Sequence, residues 1–413
     1  MRACIHRGAR EVGGSCVELE HDGSRIVVDL GLPLTTGMDA VPSLPSISGL
    51  TSEDPSLLGI VVSHGHPDHW GLVPHVHHDA PVFVGEATQR ILREAAFFAP
   101  AGAELRATGC LRDHQPFVLG PFTITPFLAD HSSYDAYSLL IEAGGRRLFY
   151  SGDVRAHGRK RMLFERLVRE PLPAVNALML EGTHIRAQAT GASPSELEIE
   201  DELTRLFRAT DGLALVCYSP QNIDRLVTVF KAARRAGRTL VLDLYAATIA
   251  RATGNPSIPQ ADWADVLVYV PRSQRIRVKR SGQFERVAAI TKRRLFAEQL
   301  AERSSDLVMT FRGSMAIELE QAGCLRHAQC AWSMWPGYLE DPSGRRLRTW
   351  LDEREIPLTV LHSSGHASVN DLQRLAAGID ADRVIPIHTE APHLYAGLFP
   401  AVEQHDDCEW WTV

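Results

Sequence analysis

VVSHGHPDHWG (61–71) follows directly on an apolar run and sets three histidines, an aspartate and a proline where a strand should end. In an extended segment, residues two apart point the same way, so His64 and His66 can chelate one cation together. Pro67 suits the first turn of a helix, where its missing N–H costs nothing. Asp68 and His69 then sit at a helix start and project differently. One short loop can thus serve two metal ions. Neutral imidazole and carboxylate are the usual zinc ligands, at roughly 2.0–2.2 Å, and each cation needs three or four of them, so the run cannot complete two sites alone.

Candidates for the remaining ligands stand after strands elsewhere. FLADHSSYDAYSLLIE places His131 after one apolar run, RRLFYSGDVRAHG places Asp153 after a second, and RVIPIHTE places His388 after a third. An isolated histidine is more often a satisfied structural residue than a ligand, but the repeated position is that of active-site residues, which collect where strands end in loops. His75, His77 and His78 fall on the helix expected after the run and are read as surface residues.

The 413 residues suffice for two or more domains, and 45% hydrophobic composition supports ordinary globular cores. No apolar stretch approaches the ~18 residues of a membrane span, and MRACIHRGAREVGG lacks the apolar centre of a signal peptide, so the chain reads as cytoplasmic with no membrane partner. The seven scattered cysteines never form a C-x-x-C pair and read as buried, reduced thiols. A net charge of −7 argues against coating nucleic acid by bulk electrostatics. Locally, PRSQRIRVKR (271–280) carries Arg272, Arg275, Arg277, Lys279 and Arg280 with no acid; TKRRLF (291–296) and RAHGRKRMLFERLVRE (155–170) are also basic, though such runs are usually solvated faces.

The first third alternates short strands (SCVELE, SRIVVDLG, LGIVVSH, PVFVG, FTITPF, YSLLIE, RRLFYSGD) with few helices, which implies two sheets packed face to face with helices outside. From about residue 195 the pattern changes to βαβ units: helix SELEIEDELTRLFRAT, strand GLALVCYS, helix NIDRLVTVFKAARRAG, strand RTLVLDLY. QFERVAAITKRRLFAEQLAER (283–303) reads as one long amphipathic helix. After residue 357 short strands return, LTVLHSSG and RVIPIHTE.

The order IVVDLG, HGHPDH, ADHSSYDAY, YSGDV resembles the metallo-β-lactamase superfamily. LEGTH, SSGHAS and IPIHTE look like the three motifs of its β-CASP subgroup of nucleic-acid-processing nucleases, and GAREVGGSCVELE and HSSGHAS point to the ribonuclease J branch. The resemblance implies an α/β fold, a four-layer αββα sandwich with an inserted parallel α/β β-CASP domain: core residues 1–187, insertion 188–357, closing core segment 358–413. It also implies a ligand scheme for two zinc ions, one held by His64, His66 and His131, the other by Asp68, His69 and His388, with Asp153 bridging. Manganese is compatible with the same nitrogen and oxygen donors. Asp29 matches the carboxylate that orients the histidine loop. His366 matches the general acid beside the leaving group, and Glu181 the carboxylate behind it.

The implied activity is phosphodiester hydrolysis of single-stranded RNA or DNA, as an endonuclease, a 5′-exonuclease or both. Two zinc ions about 3.5–4 Å apart can lower the pKa of a bridging water toward about 7, and a histidine titrating near 6.5 with a carboxylate behind it suits protonation of the departing ribose oxygen. A dinuclear hydrolase of a small-molecule ester, thioester or lactam is the alternative, and it does not need the second histidine. A third reading, a metal-bearing binding module without turnover, conflicts with the intact set of seven ligand positions.

In SSGHAS, Ser364, Gly365, Ala367 and Ser368 can offer hydroxyls and backbone N–H groups to phosphate, with His362 a further donor, although an ordinary turn explains these small residues equally well. YSPQNIDRL resembles the family's S-x-N-x-x-R segment, which makes Asn222 and Arg225 substrate contacts or simply a helix start. A strand-binding groove in the insertion gives the Arg272, Arg275 and Arg277 cluster a role. Thr389 stands where the family places glycine, and His388 is expected to ligate regardless. The sequence ends soon after His388, so the further domain of many ribonuclease J proteins is not expected and the usual dimer or tetramer is not implied; a homodimer stays open.

Overall fold

A computed structural model describes residues 1–34, 43–77, 80–99, 104–186 and 193–413. The chain divides into two compact units, one of Met1–Arg93, Ala103–Ala192 and Gly365–Val413, the other of Glu94–Gly102 and Ser193–Ser364. The 187/188 boundary and His78 lie outside the described residues.

The first unit is built on two sheets. Seven strands pair in the order Trp410–Thr412, Arg2–Arg7, Cys16–His21, Ser24–Leu30, Leu57–Val61, Val82–Gly85, Gly109–Leu111; six pair in the order Val384–Ile387, Ala177–Glu181, Arg146–Tyr150, Tyr137–Ala143, Phe122–Leu128, Phe117–Leu119. The two-residue period of the sequence sorts side chains between faces. In Ser24–Leu30, Ile26 and Val28 enter the core between the sheets and Val27 the outer core with Leu72, Val73 and Leu92; Leu30 joins Val27 because the left-handed Asp29 and a register shift break the alternation there. In Tyr137–Ala143, Leu139 and Ile141 face inward, and Leu140 faces the helices Arg161–Arg169 and Val369–Ile379. Both faces of both sheets are therefore covered, giving the αββα layering. Each such buried aliphatic side chain contributes roughly 1.5–3 kcal/mol.

The second unit carries a seven-stranded sheet, ordered Arg294–Leu295, Val266–Tyr269, Thr239–Asp243, Leu307–Thr310, Ala214–Cys217, Gln329–Trp332, Leu358–Val360, with every neighbouring pair parallel. Helix Glu196–Ala209 starts on a capping box, Ser195 with Glu198, and Asn222 caps Ile223–Arg235.

Three expectations need correction. The segment 283–303 is not one helix: it breaks into Glu285–Ala288, Thr291–Arg293, the strand Arg294–Leu295 and Ala297–Glu302. Pairing of Val268 and Tyr269 with Arg294 and Leu295 at the sheet edge buries Leu295 and outweighs helix propensity. LTV in LTVLHSSG is no part of the closing core segment. It pairs with Gln329–Trp332 as the edge of the parallel sheet, and the first unit resumes at Gly365. Five cysteines are buried, but Cys110 and Cys408 are exposed. Among the described residues, no helix is long and apolar enough to cross a membrane.

Candidate metal centre

The ends of several strands of the first unit converge. Val384–Ile387, Ala177–Glu181 and Arg146–Tyr150 are parallel neighbours, and at or just beyond their carboxyl ends stand His388, Glu181 and Asp153. Phe122–Leu128 runs the same way and leads to His131. In the other sheet Leu57–Val61 leads to His64 and His66, and the short helix Pro67–Trp70 follows with proline in its first turn. That helix docks tightly: Ser15 N–H donates to the Asp68 carbonyl at 3.0 Å, and Leu32 N–H to that of Pro67 at 2.9 Å. Gly31 permits this approach, since a Cβ there would lie 1.7 Å from the Asp68 oxygen.

The side chains fall into groups whose ligand atoms lie within 4.8 Å of one another: His64, His66, His131 and Asp153; Asp68, His69 and His388; and Asp153 with His366 and His388. Asp153 Oδ2 is 3.3 Å from His69 Nε2, 3.6 Å from His64 Nε2 and 3.8 Å from His131 Nε2, and its Oδ1 is 4.0 Å from His388 Nε2. Asp68 Oδ2 lies 3.8 Å from His388 Nε2 and 4.0 Å from His69 Nε2. All are buried except His66, Asp68 and His366, which are partly exposed.

The far ring nitrogens are occupied. His69 Nδ1–H donates to Asp29 at 2.7 Å, His131 Nδ1–H to the Gly365 carbonyl at 2.6 Å, and His64 and His388 Nδ1 meet the hydroxyls of Ser63 and Ser15 at 3.1 and 2.8 Å. For His69 and His131 these bonds leave the neutral ring's Nε2 lone pair turned toward Asp153. His64 Nε2, His69 Nε2, His388 Nε2 and Asp153 Oδ1 are buried with no hydrogen-bond partner among the described residues. Buried polar atoms without partners are costly, and four of them aimed at one point fit divalent cations.

Asp29 organises the loop from below. Its carboxylate, fully buried, accepts from Ser63 N–H (2.7 Å), Ser63 Oγ–H (2.8 Å), His69 Nδ1–H (2.7 Å) and Tyr150 Oη–H (2.8 Å). Asp29 and His388 both hold left-handed backbone, φ +57° and +52°. Such residues cost on the order of 1–3 kcal/mol each and persist only where surrounding contacts over-determine them.

Electrostatics match the geometry. Burial, with neighbouring imidazoles, holds His64 and His131 well below the usual histidine range, and burial likewise lowers His388 and brings His66 down to about 4. These rings are neutral near pH 7, as ligation requires. Burial also opposes charge on His69, but the carboxylates of Asp153 and Asp29 outweigh it and raise that ring well above the usual value. A field that favours a proton there favours a cation equally. Burial disfavours the Asp153 carboxylate, yet His388, His69 and His366 hold it well below the usual carboxylate range.

His366 stands at the rim, its Nδ1 3.2 Å from Glu181 Oε2 and 3.8 Å from Asp153 Oδ2. Burial would lower its pKa, but Glu181 and then Asp153 reverse the effect and push it up to about 9. Glu181, fully buried, also accepts from Val154 N–H at 3.3 Å and Thr183 N–H at 3.2 Å.

Several expected nucleic-acid contacts are engaged otherwise. Ala367 is in the outer core, and Ser368 caps Val369–Ile379 through Asp371 N–H. Asn222 accepts from Arg225 N–H as a helix cap. Arg225 is fully buried, donating to Glu196 and to Ser333, so its guanidinium is not offered to a strand. Arg277 donates to the carbonyls of Phe97 and Ala99, Arg275 lies 3.5 Å from Glu318, and the Arg272 backbone N–H donates to Glu318. Gly365 holds His131 through its carbonyl, while His362 and the buried Ser364 belong to the second unit. The structure adds Ser15, Ser63 and Tyr150, as well as the fully buried Arg155–Asp130 pair tying the loop of His131 to that of Asp153. Ser63 and Asp130 stand beside predicted ligands in the sequence and Arg155 two residues from one, whereas Ser15 and Tyr150 carry no such signal.

Residues 26–216 match the family model described as the beta-lactamase superfamily domain, and residues 358–396 match the Zn-dependent metallo-hydrolase RNA specificity domain. Over these residues the chain is similar to the metallo-β-lactamase superfamily. Among curated relatives it is similar to ribonuclease J. It is 24% identical over 421 residues to ribonuclease J of Mycobacterium tuberculosis, covering 94% of this chain and 68% of that one. To ribonuclease J of Mycolicibacterium smegmatis it is 25% identical over 422 residues, covering 96% and 70%. A crystal structure of an Enterococcus faecalis V583 protein of unknown function superposes with a TM-score of 0.82 at 20% identity, covering 100% of this chain and 99% of the other, which speaks to the fold.

Proposed function

We propose that this protein is a metal-dependent hydrolase that cleaves phosphodiester bonds of single-stranded RNA. The observation that carries the reading is the buried cluster of unpartnered imidazole and carboxylate atoms with the His366–Glu181 pair at its rim. Relatives named ribonuclease J and the match of 358–396 to an RNA specificity domain support RNA as the substrate.

His64, His66 and His131 would hold one divalent cation, Asp68, His69 and His388 a second, with Asp153 shared. Zinc or manganese bound there supplies Lewis-acid chemistry, activating water at neutral pH and neutralising charge on a phosphate. Asp29, Ser63 and Ser15 fix the rings that face the cations. Glu181 takes the Nδ1–H of His366, so Nε2 is the atom left to deliver a proton to the departing ribose oxygen. The Glu181 charge stabilises the protonated ring until that transfer.

The test is end-labelled single-stranded RNA, bearing a 5′ monophosphate or triphosphate, incubated with zinc-loaded protein and read on a sequencing gel. Cleavage abolished by a chelator and restored by zinc or manganese is expected. Intact RNA alongside turnover of a lactam or thioester would overturn the reading.

A further inference from the structure

The second unit encloses a cavity of about 580 Å³, all of whose lining residues belong to that unit. Cavities of roughly 300–1,000 Å³ are those that hold small molecules. It opens at the carboxyl ends of Leu307–Thr310, Ala214–Cys217 and Gln329–Trp332, adjacent parallel strands. From Cys217 the chain leads, by way of Ile223–Arg235, to Thr239–Asp243, on the far side of Leu307–Thr310. From Thr310 it leads, by way of Ala316–Gln321, the opposite way to Gln329–Trp332, on the far side of Ala214–Cys217. Right-handed crossovers running in opposite directions put their helices on opposite faces of the sheet, and a crevice opens between the two departing chains.

What lines the crevice narrows the ligand. Trp350, partly exposed, gives it an aromatic face, with Tyr218, Phe311 and Trp332 almost fully buried in its lining, and Arg312 and Arg346 are its charged residues, with no carboxylate among the lining side chains. Arg312 is neutralised by the buried Asp243, whereas Arg346 is exposed and has no ion-pair partner among the described residues. The indole N–H of Trp350 is buried without an acceptor. The helix Pro342–Asp352, whose first turn supplies Ser343 and Gly344 to the wall, starts at Asp341 without a side-chain cap. The wall thus offers one partly exposed ring, an uncommitted guanidinium and an unused donor.

We propose that this crevice binds a nucleoside 5′-monophosphate, with the base against Trp350 and the phosphate on Arg346 and the first turn of Pro342–Asp352. The ligand is either free nucleotide or one nucleotide unit of an RNA strand. None of the clustered histidines and carboxylates lines this cavity, so the site stands or falls apart from the proposed hydrolysis.

Calorimetric titration of the full chain in EDTA, with AMP, adenosine and inorganic phosphate as probes, tests the assignment. AMP is expected to bind about tenfold or more tighter than either fragment; Arg346→Ala should weaken AMP by about tenfold and leave adenosine unchanged. Trp350→Phe, which keeps an aromatic ring and removes the indole donor, should weaken AMP and adenosine together. A short 5′-hydroxyl RNA that displaces AMP in an Arg346-dependent way assigns the crevice to a strand, and one that leaves AMP bound assigns it to free nucleotide. AMP binding no tighter than phosphate, or unaffected by Arg346→Ala, overturns the proposal.

Discussion

Replacing Asp29 with asparagine separates charge from shape at the base of the metal cluster. Asparagine tolerates the left-handed backbone at this position, so the effect is that of the head group. Its amide fits best with NH2 in place of Oδ1, where it faces the Ser63 N–H and leaves that donor unsatisfied, at a cost of about 1–3 kcal/mol. The three donors on Oδ2 keep an acceptor but lose charge assistance, which adds roughly 1–2 kcal/mol. A total near 2–5 kcal/mol is expected, against about 1 kcal/mol for Tyr150→Phe, which removes one donor and leaves the carboxylate well supplied. Zinc affinity should fall by about 10–100-fold in Asp29→Asn, because the His69 ring loses its negative partner. Urea unfolding and competition with a chromogenic zinc chelator measure the two effects. If Asp29→Asn matched Tyr150→Phe in both, the carboxylate would not be the hub described above.

Gly31→Ala should abolish zinc binding and destabilise the first unit, since the added carbon meets the Asp68 carbonyl oxygen; metal analysis and thermal melting check it. His366→Ala should lower RNA cleavage by about 10²–10⁴-fold while zinc content stays at wild-type level, read by single-turnover assay and elemental analysis. Burial raises the Glu18 carboxyl, but hydrogen bonds from His6 and Arg25 outweigh it and hold it below its ordinary value of 4.5, so its stabilising contribution is complete above pH 4.5 and is lost as pH falls through the lowered folded value. Glu18→Gln should therefore flatten the loss of stability below pH 4.5. Arg225→Met should cost about 3–5 kcal/mol by stranding the buried Glu196, and Glu196→Gln in the same chain should recover much of it in a double-mutant cycle on urea midpoints.

The histidine run was legible because its logic is local: alternate residues of an extended segment and a proline-initiated turn act within a few positions. His131, Asp153 and His388 were legible as strand-end residues, but their approach to one another depends on strand order, which periodicity does not encode. Tyr150 lies at the end of the strand RRLFY, and only the packing of the two sheets brings its hydroxyl to Asp29. Asn222 and Arg225 showed the opposite failure. A polar pair at a helix start looked available to a ligand, whereas capping and a buried ion pair consume it. The segment 283–303 had helical periodicity throughout, and the sheet edge claimed its middle.

His131 is fastened to a peptide carbonyl at Gly365, the first residue after the chain leaves the inserted unit. A ribosome making this polypeptide releases His64, His66, His131 and Asp153 early, but it delivers that carbonyl and His388 only after the whole insertion has been synthesised. The nascent chain thus has six of the seven donors in hand while His388 and the carbonyl that orients His131 are still unwritten, so the ligand set closes only when the last segment emerges.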